Sequence, residues 1–238
     1  MAWWYDRSAI ETTLKIRDQF NINTYIETGT FRGINIFFHS YNFRDIYGVE
    51  INNEYAKISG KRVRDRGNVI VLHMESCKFL SLYADLYRKT NRHDTLFIYL
   101  DAHFYVPGEN KTKEERWVVL RELKALAGFE NCVLAVHDFN CGNGLYGLIY
   151  DNEPLNFELL KDSLYKINAE FKYYVNIREN CQPHTEESII NVPGIIPDPD
   201  TIETIRYHAR FDRLKYRGIL YCTPKPLDIK LFSLRELE

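Results

Sequence analysis

Five short apolar runs, each followed by a helical pattern, constrain this chain more than any other feature. "TYIE" precedes a helix from about Asn35, "DIYGVE" precedes "NNEYAKISGKRVRDR", and "NVIVLH" precedes "SCKFLSLYADLYRK". "TLFIYLD" then precedes "KEERWVVLRELKALAG", and "CVLAVHDF" leads through a glycine-containing loop to "PLNFELLKDSLYKINAE". The runs are continuously apolar and rich in Ile, Val and Leu, as strands covered on both faces are. Strand-then-helix units in series predict a doubly wound α/β sheet, parallel through these five strands.

The ends depart from that rhythm. "SAIETTLKIRDQF" opens with Ser8 and has Glu11 three residues later, a capping box ahead of an N-terminal helix over residues 6–20. Late in the chain, "FKYYVNI" and "RGILYCTPK" read as strands with no convincing helix between them. Two such strands pair antiparallel at a sheet edge. The segment between them, roughly 178–215, is polar and contains prolines. It is long for a plain loop, and both a lid over a substrate and a surface excursion fit it. No repeat or second domain interrupts residues 1–238, so a single domain is expected.

Composition weighs against several classes of partner. The net charge is -2, which gives no general attraction to nucleic acid or to an anionic membrane. No apolar run approaches the roughly 20 residues of a membrane helix. The opening "MAWWYDRS" has neither the basic nor the apolar region of a secretory signal. The five cysteines, Cys77, Cys132, Cys141, Cys181 and Cys222, are scattered and form no CxxC. Free thiols in a reducing compartment fit them, and a cytoplasmic location is the expectation. The sequence leaves homo-oligomerisation open.

Ligands of open parallel sheets bind at the carboxyl ends of the strands. At the end of the first strand, "TYIETGTFRGINIFF" turns from strand to helix through Glu27, Gly29 and Gly33. Gly29 lets backbone approach a ligand closely, and Gly33 lets helix and strand pack tightly. Free N–H groups at the helix start favour an anionic group. G-x-G-x-x-G is absent; the spacing is E-x-G-x-x-x-G. The second strand ends on Glu50, placed to accept hydrogen bonds from ribose hydroxyls. The third is followed by "HMES", with Glu75 and Ser76 where an adenine ring could be read, and the fourth ends in "YLDAH".

Through "YIETGTFRG", "YGVE", "HMESC" and "FIYLDAH" the chain resembles the class I S-adenosylmethionine-dependent methyltransferases over roughly residues 20–150. The resemblance implies a Rossmann-like α/β fold: a seven-stranded, mostly parallel sheet with helices on both faces and an antiparallel last strand. It implies S-adenosylmethionine as cofactor, with Glu27 and Gly29 near its methionine part and Glu50 on its ribose. Thr28, Thr30, Gly33, Glu75, Ser76 and Asp101 join them as cofactor-binding residues.

Asp101 ends the fourth strand, and His137 and Asp138 end the fifth. Two carboxylates and an imidazole at one sheet edge are a plausible set for a divalent cation. The arrangement resembles the metal-dependent small-molecule and sugar O-methyltransferases, in which an acidic residue after strand 4 and a residue pair after strand 5 hold magnesium. That branch usually has Asp-Asp, Glu-Asp or Asp-Asn as the pair, whereas this chain has His-Asp, and imidazole suits Mn²⁺ better than Mg²⁺. Such a metal would lower the pKa of an acceptor hydroxyl and orient it. Asp101 and His103 are the catalytic candidates, His103 as general base. Packing against Phe104 and Tyr105 is the structural alternative for His103.

Other stretches have structural readings beside functional ones. The basic "KISGKRVRDR" is a solvated helix face or a phosphate contact. Trp3, Trp4 and Tyr5 dock the first helix or cap a site, and Tyr146 and Tyr150 follow the fifth strand in a glycine-containing loop. The leading expectation is an O-methyltransferase acting on a small molecule or sugar with help from Mg²⁺ or Mn²⁺. A nucleic-acid or protein methyltransferase, a metal-dependent hydroxylase-like enzyme and a non-catalytic binding protein are the alternatives on the same fold.

Overall fold

A computed structural model of the chain describes residues 7–90, 93–103, 112–142, 144–177, 199, 202, 217–232 and 234–237. Helix α1 (Arg7–Phe20) leads into β1 (Thr24–Thr28), α2 (Ile34–His39), β2 (Asp45–Glu50), α3 (Asn53–Arg62), β3 (Val69–His73) and α4 (Ser76–Lys89). There follow β4 (Leu96–Leu100), α5 (Lys113–Arg116), α6 (Val118–Ala125) and β5 (Cys132–His137). A small hairpin, β6 (Ile149–Tyr150) with β7 (Glu153–Pro154), comes before α7 (Phe157–Ile167), β8 (Lys172–Asn176), β9 (Ile219–Thr223) and β10 (Leu234–Glu236).

The main sheet has the order β3-β2-β1-β4-β5-β9-β8-β10. It is a Rossmann-like α/β sheet in which β1 to β5 are parallel. Strand β9 runs antiparallel to both β5 and β8. The seven expected strands are joined by an eighth, the three-residue β10, which pairs antiparallel with β8 at the edge. No apolar run marked β10 in the sequence: only Leu234 of its three residues is buried.

Alternation along each strand divides the core. Leu96, Ile98 and Leu100 pack on one face with Phe79, Leu80, Leu123, Leu160 and Leu164 from α4, α6 and α7. Phe97 and Tyr99 pack on the other with Ile10, Ile16, Phe37 and Phe38 from α1 and α2. Both faces are covered, which is why these strands read as unbroken apolar runs.

Several local expectations need adjustment. Arg7 is already helical, so Ser8 lies inside α1 rather than at its N-cap. The stretch read as one helix, "KEERWVVLRELKALAG", breaks at Trp117, which is buried and donates from Nε1 to Glu153 Oε2 at 2.8 Å. The segment 178–215 lies outside the described residues apart from 199 and 202, as do Trp3, Trp4, Tyr5, Phe104, Tyr105 and Cys181. No helix among the described residues is long and apolar enough to cross a membrane.

His39, in the last turn of α2, is buried against Tyr25 and Phe43, at centroid distances of 4.4 and 5.5 Å. Its Nδ1 has no hydrogen-bond partner. Burial, reinforced by Arg17, lowers its pKa from 6.5 to about 3. The unfolded chain takes up this proton near pH 6.5 while the fold refuses it, so stability is lost as pH falls below 6.5. The loss runs at up to about 1.4 kcal/mol per pH unit and levels off near the folded value. Urea unfolding at pH 7 and pH 5 checks this: the loss of stability should be about 1–2 kcal/mol smaller in His39→Phe than in the wild type. Equal losses would mean that His39 protonates as freely in the fold as in the unfolded chain.

Candidate cofactor and active site

The register aligns three strand ends. Thr28 pairs with Leu100, and Leu100 with Val136. Gly29, Asp101 and His137 therefore leave the sheet side by side. Strand β1 is also the switch point, with β2 on one side and β4 on the other.

Gly29 has φ 70, and its N–H donates to the Val49 carbonyl at 2.8 Å. A Cβ there would stand 2.5 Å from the Asp101 carbonyl oxygen and 2.8 Å from Ala102 Cα. Both conformation and contact demand glycine. Gly33, at φ 73, is the N-cap residue of α2. Its added Cβ would lie 2.9 Å from Ser59 Cα, so Gly33 brings α2 close to α3; the expectation of helix-on-strand packing is corrected to helix on helix.

Glu27 is buried, and its Oε2 accepts from the Tyr25 hydroxyl at 2.7 Å and from Asn35 Nδ2 at 2.6 Å. Burial pushes its pKa up to about 8, against the Tyr25 and Asn35 hydrogen bonds and with help from Asp101. It lines a small cleft with Thr30, Phe31, Arg32, Ile34, Asn35, Tyr99 and Asp101. Thr30 Oγ1 and Arg32 Nε are buried there without hydrogen-bond partners. The Glu50 carboxylate organises the loop: Oε2 accepts from Phe31 N and Oε1 from Asn52 N, both at 2.8 Å. A carboxylate has about four acceptor sites, so two are left for a diol. Ser76 is buried at the start of α4, whereas Glu75 pairs with Arg121 near the surface.

Glu122 on α6 had not been singled out in the sequence. It is fully buried, and neither carboxyl oxygen has a well-formed hydrogen bond. Burial raises its pKa to about 7, opposed by the hydroxyls of Ser76 and Thr28. The signal was legible: Val119, Glu122, Leu123 and Leu126 follow the spacing of a core-facing helix stripe.

Asp101, His137 and Asp138 are all buried, and their potential ligand atoms lie within 4.8 Å of one another. His137 Nδ1 is 3.0 Å from Asp101 Oδ1 and 3.4 Å from Asp138 Oδ1. Asp138 has φ 56, an uncommon conformation for a residue with a side chain. A fourth member, Arg217, donates from Nη1 to Asp138 Oδ1. Against its own burial, the Arg217 and His137 charges hold the Asp138 pKa below the usual carboxylate range. Burial alone would lower the His137 pKa, but Asp101 and Asp138 outweigh it and raise it. His103 is buried too, and burial lowers its pKa. Its Nε2 lies 3.0 Å from the His137 carbonyl oxygen. A carbonyl only accepts, so Nε2 carries the proton and the neutral ring's lone pair is on Nδ1. No motif announced Arg217, which lies 79 positions from Asp138.

The fold has known counterparts. The methyltransferase domain of bacterial CtHen1 superposes with a TM-score of 0.51 at 12% identity, covering 91% of this chain and 98% of that one. A candidate O-methyltransferase from Klebsiella pneumoniae gives 0.50 at 7% identity, covering 93% and 82%. At such identities the likeness is one of fold: the chain has the Rossmann-like architecture of these proteins. No protein-family model and no curated protein matches the sequence.

Gly29 provides a test of the loop. Gly29→Ala should destabilise the protein by about 2–4 kcal/mol, from the left-handed backbone and the collision with Asp101. Gly60 lies in α3 with nothing within 4 Å of an added Cβ. Gly60→Ala should instead stabilise by about 0.5–1 kcal/mol. Chemical denaturation compares the two, and a neutral Gly29→Ala would show that the loop yields at no cost.

Proposed function

We propose that the chain is an S-adenosylmethionine-dependent methyltransferase acting on a hydroxyl of a small molecule or sugar. One observation carries this reading: a glycine turn and two carboxylates, Glu27 and Glu50, stand at the switch-point edge of a methyltransferase-like sheet, beside a buried acid–histidine cluster. The donor set suits the cofactor. An unpartnered Thr30 hydroxyl and spare acceptor sites on Glu50 offer polar contacts along one edge.

When bound, S-adenosylmethionine supplies an electrophilic methyl group. Glu27 is the residue for the positively charged methionine end, because a cation beside it favours its ionised form. Glu50 serves the ribose, Ser76 and Glu75 the adenine side, and Thr28, Thr30 and Gly33 the shape of the loop. Neutral His103, with its lone pair on Nδ1, is suited to accept a proton from the acceptor hydroxyl. The acceptor is expected to be a small molecule rather than nucleic acid, given the net charge of -2. The scattered cysteines, with no CxxC, are in keeping with the cytoplasmic location we propose.

Metal assistance is the second reading, and the convergence of three donor residues within 4.8 Å favours it. The fit is poor, because a guanidinium already occupies Asp138. No step here depends on an ion.

Calorimetry with S-adenosylmethionine and S-adenosylhomocysteine, with and without chelator, tests the function. Both should bind one site, and Glu50→Gln should weaken binding by about 1–3 kcal/mol, as the loss of charge-assisted hydrogen bonds requires. Absence of binding for both nucleosides would leave a binding protein of another specificity on the same fold. A loss of affinity in chelator would favour the metal.

A further inference from the structure

The carboxylate cluster has its own fixed cation. Arg217 Nη1 donates to Asp138 Oδ1, that oxygen lies 3.4 Å from His137 Nδ1, and the same nitrogen lies 3.0 Å from Asp101 Oδ1. The order is guanidinium, carboxylate, imidazole, carboxylate, and each of these side chains is at most 6% exposed. The guanidinium carries its charge at every relevant pH. It is held from several directions. The Tyr146 ring faces it at 4.8 Å, and the Arg217 carbonyl accepts from Asn176 Nδ2 at 2.7 Å. The next residue, Gly218, donates to the Tyr146 carbonyl at 2.8 Å and accepts from Phe139 N at 2.9 Å. These bonds fasten Arg217 to the segment that leaves β5 through Asp138.

We propose that Arg217 is the resident cation of this cluster, so that Asp101, His137, Asp138 and Arg217 form a metal-independent positioning network. A divalent ion among the three donors would have to displace the guanidinium from Asp138 or share the carboxylate with a neighbouring positive charge. Either weakens binding. Arg217 is a positioning residue: it fixes Asp138 in its left-handed backbone conformation and, through Asp138, the ring of His137. The inference does not rest on the methyl-transfer reading, because ion binding is measured without turnover.

The test is a manganese titration of the full-length protein, followed by the free-ion electron paramagnetic resonance signal. The wild type and Arg217→Lys should leave that signal undiminished up to millimolar Mn²⁺. Arg217→Ala should acquire one site, about tenfold or more tighter than any in the wild type, because its carboxylates lose their counter-ion. The double variant Arg217→Ala/Asp101→Asn should lose that site again. A lost structural contact alone would create no metal site, so the gain separates positioning from mere stability. A wild-type site abolished by Asp138→Asn overturns the proposal, and so does a folded Arg217→Ala that gains no manganese. Should Arg217→Ala fail to fold, the wild-type titration decides: no site supports the proposal, and a site dependent on Asp138 overturns it.

Discussion

The backbone of Asp101 passes so close to Gly29 that no side chain fits between them. Much of the candidate site depends on that approach. It forces the turn after β1 to use glycine in the left-handed region, and it sets the end of β4 against the loop that opens α2. The contact is fixed by register, since Thr28 and Leu100 are partners and the chains leave the sheet together. Thr28 adds a bond across the same gap, its hydroxyl accepting from Asp101 N at 3.2 Å. Glu50 closes the loop from the other side by accepting from Phe31 N. Carboxylates from β1, β2 and β4 are thereby carried by rigid strand ends rather than by long loops, which limits the entropy lost when a ligand is held.

Most of this frame was legible in the residues. Strands such as "LFIYL" and "CVLAVH" are buried on both faces, so their apolar runs were unbroken and easy to read. The helix "SCKFLSLYADLYRK" has the boundaries that its pattern implied. Misreadings arose where tertiary contacts override local preference. Trp117 breaks a helical run because its ring is buried and its N–H has a partner on β7. Strands β6, β7 and β10 have two or three residues each, too few to show a period. Glu122 could have been noticed as a charge on a core-facing stripe. Arg217 could not, because nothing local distinguishes one arginine in a basic, polar stretch from the others.

Charge pairing accounts for the chemistry of the cluster. Two buried carboxylates close together would repel unless paired with positive charge. A divalent ion is one solution, and an arginine with a histidine is another. The two compete. At an effective dielectric constant of about 20, unit charges about 4 Å apart interact by about 4 kcal/mol, so a divalent ion beside a guanidinium meets roughly twice that in repulsion. A histidine rather than a further carboxylate between Asp101 and Asp138 points the same way. It removes a negative charge that an ion would use, and its Nδ1 is already directed at Asp101.

Topology explains why the counter-ion comes from so late in the chain. In a parallel sheet every strand enters at the amino edge, and only residues at strand ends reach the ligand edge. Strand β9 runs the other way, with Ile219 paired to His137. Its entry is therefore at the ligand edge, and the residue two positions before Ile219 is Arg217. An antiparallel strand next to β5 is the one way for this sheet to present a residue that precedes a strand beside residues that follow one. Arg217 is itself held there by Asp138, by Asn176 and, through Gly218, by the backbone of Tyr146. The antiparallel direction of β9 is thus what brings a guanidinium to Asp138, because reversing the strand would carry Arg217 to the opposite edge of the sheet.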